Sequence, residues 1–99
     1  NGVVFRDVPE QFRNVGVQAD LLVRQNVDNL ASLTRNGTPV VVEIRFGPGV
    51  NHAVVVDGVT TRNGQRVVAV RDPHGVQYFS PVATFQRQMT GQVVRARGN

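Results

Sequence analysis

The stretch that decides the fold is His52-Ala53-Val54-Val55-Val56-Asp57-Gly58-Val59-Thr60-Thr61-Arg62-Asn63-Gly64-Gln65-Arg66-Val67-Val68-Ala69-Val70-Arg71-Asp72. Two valine-rich runs flank an Arg-Asn-Gly segment. β-branched residues suit pleated, extended backbone, and Asn-Gly supplies the positive φ of a tight turn, so the stretch reads as a β-hairpin. Side chains alternate between the two faces of a strand, so turn length decides which of them share a face. A two-residue Asn63-Gly64 turn pairs position 62 with 65, sets residue 52 opposite residue 75, and sends His52 and Asp72 to opposite faces. A three-residue Arg62-Asn63-Gly64 turn with Gly64 left-handed pairs 61 with 65. It sets His52 across from His74, and Asp72 across from Val54 on that same face. Diagonal neighbours lie about 7 to 8 Å apart, within side-chain reach. The sequence admits both turns, and the second is favoured because it gathers the polar residues. Polar side chains at strand ends also meet solvent at no cost, and Asp-Pro alone is an ordinary turn signal.

Outward from the hairpin, Val40 to Phe46 carries Glu43 and Arg45 in alternation and reads as a further strand closed by Gly47-Pro48-Gly49. Before it, Asn26 or Asp28 can cap a helix bearing Val27, Leu30, Ala31 and Leu33, ended at Asn36-Gly37 with Pro39 just beyond. Val17 to Val23 reads as an extended strand. A short helical turn is expected over Glu10 to Asn14, stopped by Gly16. After Asp72-Pro73-His74-Gly75, Val76 to Phe79 makes a short strand. Ser80-Pro81 can start a helix through Val82, Phe85 and Met89, Gly91 ends it, and Gln92 to Ala96 is a last strand. The order implies an α+β fold: an antiparallel sheet with a central helix and a short C-terminal helix.

The 99 residues, 40% of them hydrophobic, are the size of one small domain, and residues 1–99 show no repeat or linker. No apolar run approaches the roughly 18 residues of a membrane span, and no secretory or other targeting pattern opens the chain. All 11 basic residues are arginine; against 7 carboxylates they give a net charge of +4. They are scattered rather than clustered, so nucleic acid is not the favoured partner. Exclusive use of arginine fits the coding bias of a GC-rich bacterium. The absence of cysteine excludes a disulfide, a thiolate metal site and a thiol nucleophile. His52, His74 and Asp72 carry suitable metal donors but lack a fourth ligand or a close-spaced pair, so no metal or other cofactor is expected.

Three segments carry a resemblance when taken together. They are Gly37-Thr38-Pro39-Val40-Val41-Val42-Glu43-Ile44; Asn51-His52-Ala53-Val54-Val55-Val56-Asp57-Gly58-Val59; and Val68-Ala69-Val70-Arg71-Asp72-Pro73 with Gly75 and Tyr78. Over roughly residues 26 to 94 the chain resembles the C-terminal half of papain-like cysteine peptidases of the double-glycine, bacteriocin-processing type, and the related papain-fold domains of bacterial polymorphic toxins. In those families a helix ends in Gly-x-Pro, a catalytic His opens a valine-rich strand, and an Asp before Pro ends the next. The resemblance implies that His52 is the general base and Asp72 its orienter, with His74 and Asn51 as possible auxiliaries. Phe85 and Gly91 are similar to the family's closing helix and following turn.

The departure is the nucleophile, which in the family opens an N-terminal helix after a glutamine. Gln18-Ala19 is not read as a substituted site, because the sequence there resembles the strand that follows the nucleophile helix. The resemblance thus implies a chain that begins after that helix: a fragment first, otherwise a subunit completed by another chain, or a pseudoenzyme. It further implies a hydrolase or peptidase-type toxin acting on a peptide or glutamine amide in a target cell's cytoplasm after secretion or delivery. Its partners would be an immunity protein or the missing N-terminal segment, docked on an uncovered part of the sheet. Two other classes remain open: a metal-independent ribonuclease toxin with His52 and His74 as acid and base and Arg66 or Arg71 on the phosphate, and a non-catalytic binding module.

Overall fold

Alternation along the valine-rich strands sorts their side chains into two faces, and only one of them is closed by helices. The computed structural model describes residues 19–96. Within them the order is β1 (Ala19–Leu22), α1 (Val27–Leu33), β2 (Val40–Gly47), β3 (Val50–Arg62), β4 (Gln65–Arg71), β5 (Gln77–Pro81), α2 (Val82–Gln88) and β6 (Met89–Ala96). All strand pairs are antiparallel, and the six form one sheet in the order β1-β6-β2-β3-β4-β5. This is the α+β fold with an antiparallel sheet. On one face Val40, Val42, Ile44, Val54, Val56, Val68, Val70 and Val93 meet Val27 and Leu30 of α1, Phe85 of α2 and Met89 in a single buried cluster. On the other face Ala19 and Val94 form a smaller cluster with Val41 and Ala53.

The β3–β4 turn differs from the one the polar residues suggested. Asn63 (φ 52°) and Gly64 (φ 76°) both sit in the left-handed region, and Arg62 pairs with Gln65, so the turn has two residues rather than three. Positive φ at both central positions matches the right-handed twist of the strands, which is why Asn-Gly prefers it. From Arg62 back to Gly58 the pairing follows that turn, with Gly58 opposite Ala69. The ladder then shifts by one residue: Val56 faces Val70 and Val55 faces Arg71, leaving Asp57 as the extra residue of a β-bulge. The bulge lies just beyond Val56↔Val40, the last pair that β3 makes with β2, so it interrupts no ladder on that side. It also lets Val59 pack on the same core cluster as Val54 and Val56 although the spacing from Val56 is odd.

Helix α1 starts at Asn26, whose side chain accepts the Asn29 N–H at 2.9 Å while the Asn29 side chain accepts the Asn26 N–H at 2.8 Å. This reciprocal cap uses Asn where Glu or Gln is usual. Gln86 of α2 accepts the N–H of Val27 at 2.8 Å and ties the two helices together. Helix α2 corrects two expectations. Ser80 does not cap it, being the buried partner of Val68 in β5, and the N-cap is Pro81 with no side-chain bond. The helix ends at Gln88 rather than at Gly91, because Met89 turns extended and opens β6. Gly91 serves elsewhere: at φ 99° its carbonyl accepts the Gln25 N–H at 2.9 Å, and a Cβ there would lie 3.4 Å from the Arg24 backbone. The helical turn expected over Glu10 to Asn14, its stop at Gly16, and the first residues of the strand expected from Val17 lie outside the described residues.

Among the described residues Phe85 is the largest side chain fully withdrawn from solvent, and it joins α2 to the sheet. Phe85→Ala is therefore expected to lower unfolding stability by about 3–5 kcal/mol, measured by urea denaturation, since the ring's site cannot collapse between two strands and a helix.

Candidate active site

The bulge decides which residues meet. Continued past Val55↔Arg71, the shifted register sets Val54 opposite Asp72 and His52 opposite His74. A two-residue turn alone would have sent His52 and Asp72 to opposite faces. Both follow core positions in strict alternation, His52 after Val54 and Asp72 after Val70, so they extend the helix-covered face at the end of the sheet that the helices leave open. The imidazole Nε2 of His52 and Oδ2 of Asp72 are 2.9 Å apart, with about a fifth of each side chain exposed.

Each oxygen of Asp72 has a partner. Oδ1 accepts the main-chain N–H of His74 at 2.9 Å, while Gly75 N–H donates to the Asp72 carbonyl at 2.9 Å and Asp72 N–H to the Val76 carbonyl at 2.8 Å. This compact Asp-Pro-His-Gly turn, with Gly75 at φ 92°, fixes the carboxylate before the imidazole arrives. The His74 N–H, and then the hydrogen bond from His52, hold the Asp72 carboxyl below the usual carboxylate range. Tyr78, paired with Val70 and so on the same face, is held above the usual phenol range by burial and by the charge of Asp72.

The His52 ring is flanked by two others. The Phe46 centroid lies 5.3 Å away at 45°, and the His74 ring is stacked at 6.0 Å and 7°. With Nε2 donating to the carboxylate, the tautomer leaves Nδ1 as the acceptor, and among the described residues Nδ1 makes no hydrogen bond. In its neutral form the imidazole is oriented by the carboxylate and keeps one ring nitrogen that, among the described residues, has no hydrogen-bond partner. It can take a proton from an adjacent acid and carry the resulting positive charge beside Asp72.

Of the other residues named from sequence, His74 joins the pair both through its N–H and through its ring. Asn51 does not: it pairs with Arg45, and alternation turns it to the opposite face of β3. Arg71 donates twice to Asp57 across that opposite face, and Arg66 lies six residues along β4 from Asp72, about 20 Å at strand rise, so neither guanidinium stands beside the histidines. Ala19 opens β1, three strands from β3 and thus about 14 Å away. An open cavity of about 310 Å³ behind the turn is walled by Val55, Arg71, Asp72, Pro73, Gly75 and Gln77; His52 is not in its wall. Among the described residues no three His, Cys, Asp or Glu side chains are grouped to hold a metal ion, and no helix is long and apolar enough to cross a membrane. The sequence reading missed Phe46, although Phe46 follows Val42 and Ile44 in alternation and closes on His52 through Ile44↔His52.

The sequence model of the Peptidase_C39 like family matches residues 7–92. The chain belongs to the Peptidase_C39-like family. Its fold is accordingly related to that of the papain-like cysteine peptidases. No curated protein matches the chain significantly.

Because the folded carboxyl of Asp72 titrates below its unfolded value of about 3.9, its contribution is fully present above that pH and is lost as pH falls through the lowered folded value. Asp72→Asn should therefore cost about 1–2 kcal/mol at pH 6, as for hydrogen bonds to a charged group. The difference from the parent should shrink toward zero as denaturation is repeated from pH 5 down to pH 2. A difference that persists unchanged at pH 2 would contradict the assignment.

Proposed function

We propose that this Peptidase_C39-like chain supplies the base and its orienter to a papain-like peptidase or amidase site, with His52 as the general base and Asp72 as its orienter. The observation that carries the reading is the 2.9 Å contact from Nε2 of His52 to Asp72, which leaves Nδ1 as the free basic nitrogen. The sequence contains no cysteine. In this reading the thiol comes from polypeptide outside these 99 residues, and the chain by itself is inert.

With a thiol beside Nδ1, His52 takes its proton and the thiolate attacks the amide carbonyl, giving a tetrahedral intermediate. The imidazolium then protonates the leaving amine as the acyl-thioester forms. Water deprotonated by the same nitrogen hydrolyses the thioester. Asp72 keeps the ring in one tautomer and stabilises its charged form throughout; it needs no proton of its own.

The surroundings of the pair support a docking partner. Phe46, Val50, Val76 and Tyr78 are exposed apolar or aromatic side chains; the Phe46 ring lies against His52, strand alternation puts Val50 and Tyr78 on the face of His52 and Asp72, and the Val76 carbonyl accepts the Asp72 N–H. Their clustering at the one end of that face not covered by α1 or α2 suits a segment that brings an apolar surface with its nucleophile. The setting of a secreted or delivered bacterial toxin, with an immunity protein as a further partner, belongs to the same proposal and is carried by the sequence resemblance.

The test joins or mixes the chain with a segment bearing a glutamine followed by a Cys-Gly or Cys-Ala helix start, and follows hydrolysis of peptide and glutamine amides. Activity should appear only with that segment, be abolished by thiol alkylation, and fall by about 10²–10⁴-fold in His52→Ala. Hydrolysis by the cysteine-free chain alone that is lost in His52→Ala would overturn the proposal. So would full activity of the completed site without His52.

A further inference from the structure

The ion pair between Asp57 and Arg71 plays no part in the contacts of His52 or Asp72, yet it sits on the feature that aligns them. Arg71 donates from Nε to Oδ2 and from Nη2 to Oδ1 of Asp57 at 2.7 and 2.8 Å, a two-pronged geometry that fixes orientation as well as charge. That carboxylate, by its hydrogen bonds first and its charge second, holds the Arg71 guanidinium above its ordinary range. Asp57 is the residue the β3–β4 ladder leaves unpaired, and Arg71 immediately precedes Asp72.

We propose that the Asp57–Arg71 pair is a register latch: it pins the one-residue bulge at Asp57 and thereby holds Asp72 on the face of His52. Both are positioning residues, and their bearing on catalysis rests on the roles proposed above for His52 and Asp72. If the regular pairing from the turn continued, Asp57 would face Val70 and Arg71 would face Val56, which puts the two charges on opposite faces of the sheet, where they cannot meet. In the bulged ladder both charges lie on one side and the pair closes. The ion pair therefore exists only in the register that brings His52 to Asp72, and its formation favours that register over the regular one.

The valines do not make this choice firmly by themselves. Val54, Val55 and Val56 are consecutive, so a slip exchanges one valine for another at those positions, although it also carries Asp57 to the face of Val70. A charged pair unique to one register supplies discrimination that such a run lacks.

The test is nuclear magnetic resonance on the full chain labelled with ¹⁵N, reading solvent exchange of the His52 Nε2 proton and of the amides of Val54 to Val56 and Val70 to Asp72. Asp57→Asn and Arg71→Gln should each speed that exchange about two- to fivefold, as for loss of a half-exposed ion pair, and leave the β2–β6 amides of Val41 and Val94 unchanged. The charge-reversed double variant, Asp57→Arg with Arg71→Asp, should restore protection. Deleting Asp57 is the decisive background, because Val56 then meets Val70 in a regular ladder by residue count alone. There His52 should remain paired, and Arg71→Gln should change its exchange not at all. Unaltered exchange at His52 in both single variants would overturn the latch, as would equal acceleration at Val41 and Val94, or an undiminished effect of Arg71→Gln in the deletion background. None of these readings requires a nucleophile. A working latch in a chain that gains no activity from a supplied thiol sinks the catalytic roles alone, and an active site insensitive to the latch variants sinks the latch alone.

Discussion

Everything at the candidate site depends on one residue of strand register. A β-ladder has period two, so an offset of one between β3 and β4 carries every later side chain to the opposite face. The hairpin turn sets one offset and the bulge at Asp57 replaces it with another before the site is reached. The core and the site require the same correction. Val59, before the bulge, and Val56 and Val54, after it, all pack against one cluster, and no regular strand can put residues 56 and 59 on one face. The apolar demand for that cluster and the alignment of His52 with Asp72 are satisfied by one irregularity, and so the site inherits the rigidity of the core.

The two faces of the sheet are unequal, and the inequality locates the chemistry. Two seven-residue helices are too short to be stable alone, so their order comes from burying Val27, Leu30 and Phe85 against the strands. They cover only part of the face. Its uncovered end holds His52 and Asp72 amid Phe46, Val50, Val76 and Tyr78. A polar pair inside an apolar rim is tolerable only if its hydrogen bonds are made, and both oxygens of Asp72 are engaged. Among the described residues that economy leaves one polar atom of the pair without a hydrogen bond, Nδ1 of His52.

Much of this was legible in the residues, and what was not has identifiable causes. Asn-Gly announced the hairpin and the order His52, Asp72-Pro73 the family, whereas the first helix stops at Leu33 with Thr34 as its C-cap, short of the Asn36-Gly37 end that Gly37 and Pro39 suggested. The register did not follow from the turn, because Val54, Val55 and Val56 offer an apolar side chain to either face and so give alternation no phase to read. The grouping of His52, Asp72 and His74 was reached through a three-residue turn; the fold reaches it through a two-residue turn and an extra residue, two routes to the same offset at the site. Ser80-Pro81 looked like a helix start because local chemistry favours it, but pairing with Val68 draws Ser80 into β5. Gly91 looked like a helix stop, and its positive φ instead serves the close approach of Arg24 and Gln25. In each case a long-range contact overrode a local preference.

The turn after β4 makes the carboxylate of Asp72 more than a neighbour of the imidazole. Pro73 fixes φ and donates no hydrogen bond, so the first main-chain N–H available to a side-chain oxygen of Asp72 is that of His74, and Oδ1 takes it. With Oδ1 held by backbone, the direction of Oδ2 is set by the turn rather than by the mobility of a free side chain. The histidine therefore meets an acceptor oriented in advance, and the entropy of ordering that acceptor is met by the fold rather than at the moment a proton moves. The same bond, followed by the one from His52, holds the carboxyl below its usual range and so favours the ionised, accepting form of Asp72. The Asp-Pro-His-Gly turn thus holds Asp72 as a fixed acceptor rather than as a second proton carrier, and His52 remains the member of the pair with a free basic nitrogen.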